Sequence, residues 1–404
     1  MMNRRSNTAG GEGGTAKNDK SIAFDDILKV IKLGTEEFKE LLTQGLFSNI
    51  NMRNERGESL LMIQCINNCL NGVMLLPEHG ADVNITDGQG NSALILACRH
   101  YNDNAKEECA EIIKLLAAKG ANINASSNFS FSISECFRGT ALIEACIRGR
   151  LEVISLLLEL GAAINNPHQS PLIVACSWYK MDVVRLLIAH GADVNIIDSG
   201  GLISLGVACE RGYDDLVKEL LDRGADINVI TGIYPKGKLF LDACARCRLS
   251  TVKLFIERGA DVNGSEETTP TPLIAACYKG SIDFARLLIE RGADVNLSRE
   301  DGITPLMAAV INSCDLALID LLLEYGADIN AEDGGSSVLE YANSHTIHSI
   351  FMHLLACGAD LFRADGVTLI PYSPHSHLAM NPSLINKYAA INRRSNREMK
   401  PLLK

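Results

Sequence analysis

The sequence predicts an all-α solenoid of about ten helix–turn–helix repeats carrying short β-hairpin fingers. Three observations predict it. The string Gly-Ala-Asp-Val-Asn occurs at 80–84, 191–195, 259–263 and 292–296, with near-copies at Gly120-Ala-Asn-Ile-Asn124, Gly161-Ala-Ala-Ile-Asn165, Gly224-Ala-Asp-Ile-Asn228, Gly326-Ala-Asp-Ile-Asn330 and Gly358-Ala-Asp-Leu361. Successive glycines of this set stand 40, 41, 30, 33, 35, 33, 34 and 32 residues apart, and a period near 33 is the mark of a repeat array. In six repeats a cysteine precedes that glycine by 15 residues (65→80, 146→161, 176→191, 209→224, 244→259 and 277→292), so both helices and their connection keep one geometry. A unit this small cannot bury its own apolar face, and stacked neighbours bury it for each other.

The elements follow in order. Residues 1–20 are rich in Gly, Ser, Asn, Thr and Lys and read as a disordered tail. The array is expected as one continuous body over 21–364, with 21–52 as its N-terminal cap. Ile27, Val30 and Ile31 share a helical face there, and Thr35 caps a second helix through Phe38, Leu41 and Leu42 to Gly45. In later repeats a turn such as Asp301-Gly302 leads to Thr304-Pro305, where Thr caps and Pro fits the first helical turn. A short first helix follows, as in Pro272-Leu-Ile-Ala-Ala-Cys277, then a turn and a second helix from Ile282 to Arg291, stopped by Gly292 as a left-handed C-cap. Three spacings depart from this grammar. Cys98 to Gly120 is 22 residues, which inserts a segment around Tyr101 between two helices; Asn124 to Thr140 is 16, a long finger; Asn165 to Ser170 is 5, a clipped one. Residues 365–404 begin as a degenerate repeat at Asp365-Gly366, continue into a capping helix after Asn381-Pro382, and end in a basic tail.

The period, the Thr-Pro-Leu helix starts and the Gly-Ala-Asp-Val-Asn strings together resemble the ankyrin repeat family over roughly 21–364. The resemblance implies paired helices per repeat with a finger projecting at right angles. One departure is systematic: the histidine usual after Thr-Pro-Leu is replaced by Ile95, Ile143, Ile173, Leu241, Ile274 and Met307, which trades a hydrogen bond for apolar packing.

Composition narrows the function. The net charge is −11; the two tails carry +2 and +4, which leaves −17 on residues 21–364 and argues against nucleic acid as a partner. No apolar run reaches the length of a membrane span, and residues 1–20 lack the apolar core of a secretory signal. The expected setting is therefore intracellular, cytoplasmic or nuclear, and the expected state a monomer. Seven cysteines (65, 98, 146, 176, 209, 244 and 277) share one repeat phase after an alanine, where a small apolar residue packs. Helix layers about 8–10 Å apart are too distant for disulfide Cα pairs at about 4.4–6.8 Å. The lone Cys244-Ala-Arg-Cys247 pair has no second pair to complete a metal set, so no metal and no cofactor are expected, and Cys109 and Cys136 are expected to be the reactive thiols. Gly88-Gln-Gly90 and Gly232–Lys238 imitate phosphate loops but lack a βαβ context, and Leu239 stands where a Mg²⁺-binding hydroxyl is needed. No nucleophile, base and orienting group converge, so no enzyme is expected.

A protein-interaction module remains, either a scaffold or, as the alternative, a substrate-recruiting adaptor or inhibitory subunit of an enzyme complex. The resemblance implies that the residues after the Ala-Cys pair line the concave face. There the chain carries Arg99, His100, Arg148, Trp178, Tyr179, Arg211, Arg246, Tyr278 and Lys279, with finger residues Tyr234 and Lys236 added to the same side. Basic and aromatic residues at one phase of an acidic body point to a partner segment bearing acidic and apolar groups. The resemblance also implies asparagine hydroxylation at Asn84, Asn195, Asn263 and Asn296.

Overall fold

A computed structural model describes residues 39–40, 43, 49–130, 138–246, 248–264, 270–312, 315–344 and 348–360. The N-terminal tail, most of the first capping repeat, the tip of the long finger with Cys136, and the segment 365–404 lie outside the described residues. Eighteen α-helices and one β-hairpin are found among the described residues. They fall into two compact units, residues 1–164 and 165–404.

The first unit contains α1 (Leu60–Ile66), α2 (Leu70–Glu78), α3 (Ala93–Arg99), α4 (Lys106–Ala118), β1 (Ser126–Ser130), β2 (Arg138–Thr140), α5 (Ala141–Arg148) and α6 (Leu151–Glu159). First helices α1, α3 and α5 pack on one another, and α2 packs against α4. The two strands pair antiparallel as the long finger; two other fingers of this unit keep single bridges, Arg53–Ser59 and Thr86–Ser92. The insertion after Cys98 forms a 3₁₀ turn at Asp103–Ala105 and lengthens α4 to 13 residues. Glu107 and Glu108 in its first turn favour that extension through the helix dipole. Tyr101 is buried by it, with the Arg150 guanidinium 5.5 Å above its ring and Arg150 also paired to Asp103. Cys109 is a correction: the lengthened helix turns it inward, where it is 2% exposed and its Sγ lies 3.1 Å from Asn68 Oδ1.

The second unit contains α7 (Pro171–Ser177), α8 (Met181–Ala189), α9 (Ser204–Arg211), α10 (Asp214–Asp222), α11 (Lys238–Arg246), α12 (Leu249–Glu257), α13 (Pro272–Tyr278), α14 (Ile282–Glu290), α15 (Pro305–Ile311), α16 (Leu316–Glu324), α17 (Val338–Ser344) and α18 (His348–Ala356). Odd-numbered helices pack in succession as one layer, α10, α12, α14 and α16 follow as the other, and α18 packs on α17. Thr304 caps as expected, and Ser170 and Thr271 cap in the same way, each hydroxyl accepting from the amide three residues on, at 3.3 Å. The isoleucines and methionine that replace histidine are at most 1% exposed, with Leu241 at 9%. All seven phase-matched cysteines are buried.

One set of bonds recurs between successive repeats. The Asn84 amide donates to the Gly120 carbonyl (3.0 Å) and its oxygen accepts from the Asn122 amide (2.8 Å). Asn195 does the same to Gly224 and Asp226 (3.1 and 2.8 Å), and Asn296 to Gly326 and Asp328 (3.0 and 2.7 Å). The recurring asparagine therefore fixes the spacing of successive fingers, because it satisfies backbone groups that the left-handed glycine leaves open.

Candidate functional site

The residues singled out by phase do lie at the ends of first helices, but the two units use them differently. In the first unit, Glu144 of α5 is 1% exposed, and a buried carboxylate must be paired. Arg99 donates to its Oε1 from Nε (3.1 Å) and Nη2 (2.6 Å), and from Nη2 also to Asn91 Oδ1 (3.0 Å). Arg148 approaches the second oxygen at 3.6 Å. Arg99 is thus half-buried and committed to Glu144, which corrects its expected place as a free recognition group. His100 stays exposed, with its carbonyl accepting from Asn68 Nδ2 (3.0 Å). Partial burial, then Arg99 and Arg148, hold its imidazole below the ordinary histidine range.

In the second unit the row α7, α9, α11, α13 carries the rest. Trp178 follows α7 and is 51% exposed; Tyr179 is 42% exposed. Three first helices turn here through glycine in the left-handed region, at Gly149, Gly212 and Gly280 (φ 67–73°), and α1 through Asn68 (φ 54°), whereas the bulky Tyr179 adopts φ 51°. A side chain in that conformation costs about 1–2 kcal/mol, and such strain concentrates at functional positions. The Tyr179 ring lies on Tyr213 with centroids 4.5 Å apart. Tyr179 also edges an open groove of about 510 Å³ between α8 and α10, with Met181, Lys218, Asp215 and Asp222. Arg185 Nε donates to Glu219 Oε2 across it at 3.2 Å. Arg211 and Arg246 are exposed and have no ion-pair partner among the described residues. Lys279 is exposed; its Nζ donates to the Cys244 carbonyl (3.2 Å) and stands 5.1 Å from the Phe284 ring centre. Tyr278 is half-buried, and its carbonyl accepts from Asn312.

Of the two finger residues, Lys236 is exposed, whereas Tyr234 is 0% exposed and cannot meet a partner. Its ring runs back from the finger onto α9, where Gly206 leaves space; a Cβ at Gly206 would lie 2.3 Å from Tyr234 Cζ. Burial, then Glu210, push its phenol far above the ordinary tyrosine range. The exposed apolar residues of these fingers are instead Ile197, Ile230 and Ile233 at 44, 61 and 42%. The sequence did carry a signal for two of them, the apolar pairs Ile196-Ile197 and Val229-Ile230 directly after the finger asparagine. Asn84, Asn195 and Asn296 are exposed and Asn263 half-buried; each accepts a backbone amide of the following repeat, at 2.7–2.8 Å.

A family model described as ankyrin repeats (3 copies) matches residues 28–127, 105–198, 142–231, 205–299 and 239–333. No curated protein matches the chain. Among the described residues, no helix is long and apolar enough to cross a membrane.

Proposed function

Starting from a chain that belongs to the ankyrin-repeat family, whose repeats are protein–protein interaction modules, we propose that the second unit holds a partner protein along Trp178, Tyr179, Arg211 and Arg246. The partner offers an extended or helical segment with apolar and acidic groups. Trp178 carries this reading: a tryptophan half exposed to water beside a tyrosine held in a strained backbone has no evident use in folding. Tryptophan and arginine are also the residue types most enriched at interface hot spots. Arg211 and Arg246 add positive charge that steers an acidic segment, and the isoleucines at 197, 230 and 233 offer apolar contact from the fingers.

Crosslinking after affinity capture from a lysate identifies the partner, and Trp178, the only tryptophan, then reports binding by its emission. Trp178→Ala is expected to weaken binding by about 2 kcal/mol or more. Tyr179→Gly is expected to weaken binding with little change in stability, since relief of about 1–2 kcal/mol of left-handed strain is offset by loss of the Tyr213 ring contact, worth about 0.5–1.5 kcal/mol. Glu290→Ala, on the outward face of α14, serves as the control. Wild-type affinity in a folded Trp178→Ala chain removes this row as the binding surface.

A further inference from the structure

The outer faces of α16 and α18 bring together three side chains of a different kind. Asp320 lies in the middle of α16. His353 lies on α18, and Cys357 follows its last residue, with the Cys357 amide still bonded to the His353 carbonyl at 2.9 Å. The two are therefore one helical turn apart on one face. His353 Nε2 stands 2.6 Å from Asp320 Oδ1 and 3.7 Å from Cys357 Sγ, and all three ligand atoms lie within 4.8 Å of one another. Asp320 and Cys357 are exposed and His353 half-buried, so an ion can reach the cluster from solvent.

We propose that Asp320, His353 and Cys357 form a zinc site that clamps the last two described repeats. Around a tetrahedral zinc, ligand pairs stand about 3.3–3.6 Å apart, given bond lengths of about 2.0–2.3 Å. The His353–Cys357 separation, 3.7 Å, is already within about 0.1 Å of that spacing. The His353–Asp320 separation must open by about 0.7 Å to reach that spacing, which a small rotation of an exposed carboxylate supplies. Thiolate and imidazole together select zinc over the hard, oxygen-seeking Mg²⁺ and Ca²⁺. On binding, the Cys357 thiol releases its proton to solvent and the imidazole binds as the neutral ring; no electron changes hands. The fourth position is open to water or to Glu324, one turn beyond Asp320 on the same helix and exposed. A metal bound to the folded chain stabilises it by mass action. The expectation of no metal rested on the lone Cys244–Cys247 pair; Asp320 and His353, 33 residues apart in the chain, meet only in the fold.

The test uses the full chain, stripped with a chelator and titrated with zinc chloride. Native mass spectrometry is expected to show one zinc per chain, with affinity reduced at least tenfold in Asp320→Asn, His353→Ala and Cys357→Ser. Cobalt chloride is expected to give a tetrahedral visible spectrum with a thiolate charge-transfer band that Cys357→Ser abolishes. A readout that needs no variant accompanies these: equimolar zinc is expected to slow alkylation of Cys357 at least tenfold while leaving the exposed Cys69 unchanged. A chain that takes up no zinc at micromolar concentration overturns the proposal. So does zinc held equally by all three variants, or alkylation of Cys357 that zinc does not slow.

Discussion

Gly206→Ala tests the fold at the point where two repeats interlock. Gly206 lies inside α9, and alanine is favoured over glycine in a helix interior by about 1 kcal/mol. On propensity alone the substitution stabilises. The added Cβ, however, would lie 2.3, 2.6 and 2.7 Å from Tyr234 Cζ, Cε2 and Cε1. Ordinary carbon contacts are about 3.5–4.0 Å, so ring and helix must part by more than an ångström. The ring is fully enclosed and cannot swing into solvent. Overpacking of a tight core costs about 1–3 kcal/mol, and an overlap with a rigid ring belongs at the upper end, so strain outweighs propensity. We expect a net loss of about 1–2 kcal/mol. Tyr234→Ala, which empties the same space, is expected to cost about 3–5 kcal/mol. In the double variant the new methyl has room, so its loss is expected to fall short of the sum by about 1–3 kcal/mol. Urea unfolding followed by Trp178 emission gives all four stabilities, with the probe one repeat from the perturbation. If Gly206→Ala equals or exceeds the wild type, Tyr234 is not seated against α9 and the account of this finger is wrong.

Two further perturbations follow from buried titratable groups. Arg99→Met leaves Glu144 buried with only the 3.6 Å approach of Arg148, and is expected to cost about 3–5 kcal/mol, with much of the loss recovered when Glu144→Gln is added; urea midpoints of the three chains check it. Burial raises the thiols of Cys65, Cys98, Cys146 and Cys176, the last to about 12. The folded state thus favours the neutral thiol, and its contribution is complete below the unfolded value of about 8.5 and lost as pH rises above it. Each such thiol should lower stability by about 1.4 kcal/mol per pH unit in that window; melts from pH 7.5 to 10 should fall steeply, and Cys146→Ala should make the slope shallower.

Most of the fold was legible because its causes are local. A capping hydroxyl, a proline in the first turn and a left-handed glycine act within four residues, and they recur often enough in this chain to average out exceptions. The buried face of each helix was legible for the same reason, down to the cysteine phase. Side-chain partners across repeats were not. Tyr234 reads as an exposed aromatic until Gly206, 28 residues earlier, is seen to leave a hole. Cys109 reads as a loop neighbour until the insertion is seen to continue α4. In each case the deciding group lies one repeat away, and locating it requires the register across an insertion or a finger.

The basic row shows how much turns on such partners. Glu144 and Asp242 occupy one repeat phase, each two residues before a phase-matched cysteine, and both are buried. Glu144 draws its counter-ion from the preceding repeat, because the residue after Cys98 is Arg99. At the corresponding place before Asp242 stands Glu210, which cannot serve. Asp242 is held instead by Lys238, four residues back on its own helix, at 2.5 Å. Arg211 stands one residue further on, at the position of His100, and is exposed. The next repeat carries alanine at the acid's phase, Ala275, and Ala245 stands at the phase of Arg99; Arg246 lies four residues after Asp242, as Arg148 does after Glu144, yet forms no ion pair among the described residues. The stripe thus divides: in the first unit Arg99 and Arg148 stand around the buried Glu144, and in the second Asp242 is held by Lys238 while Arg211 and Arg246 stay exposed.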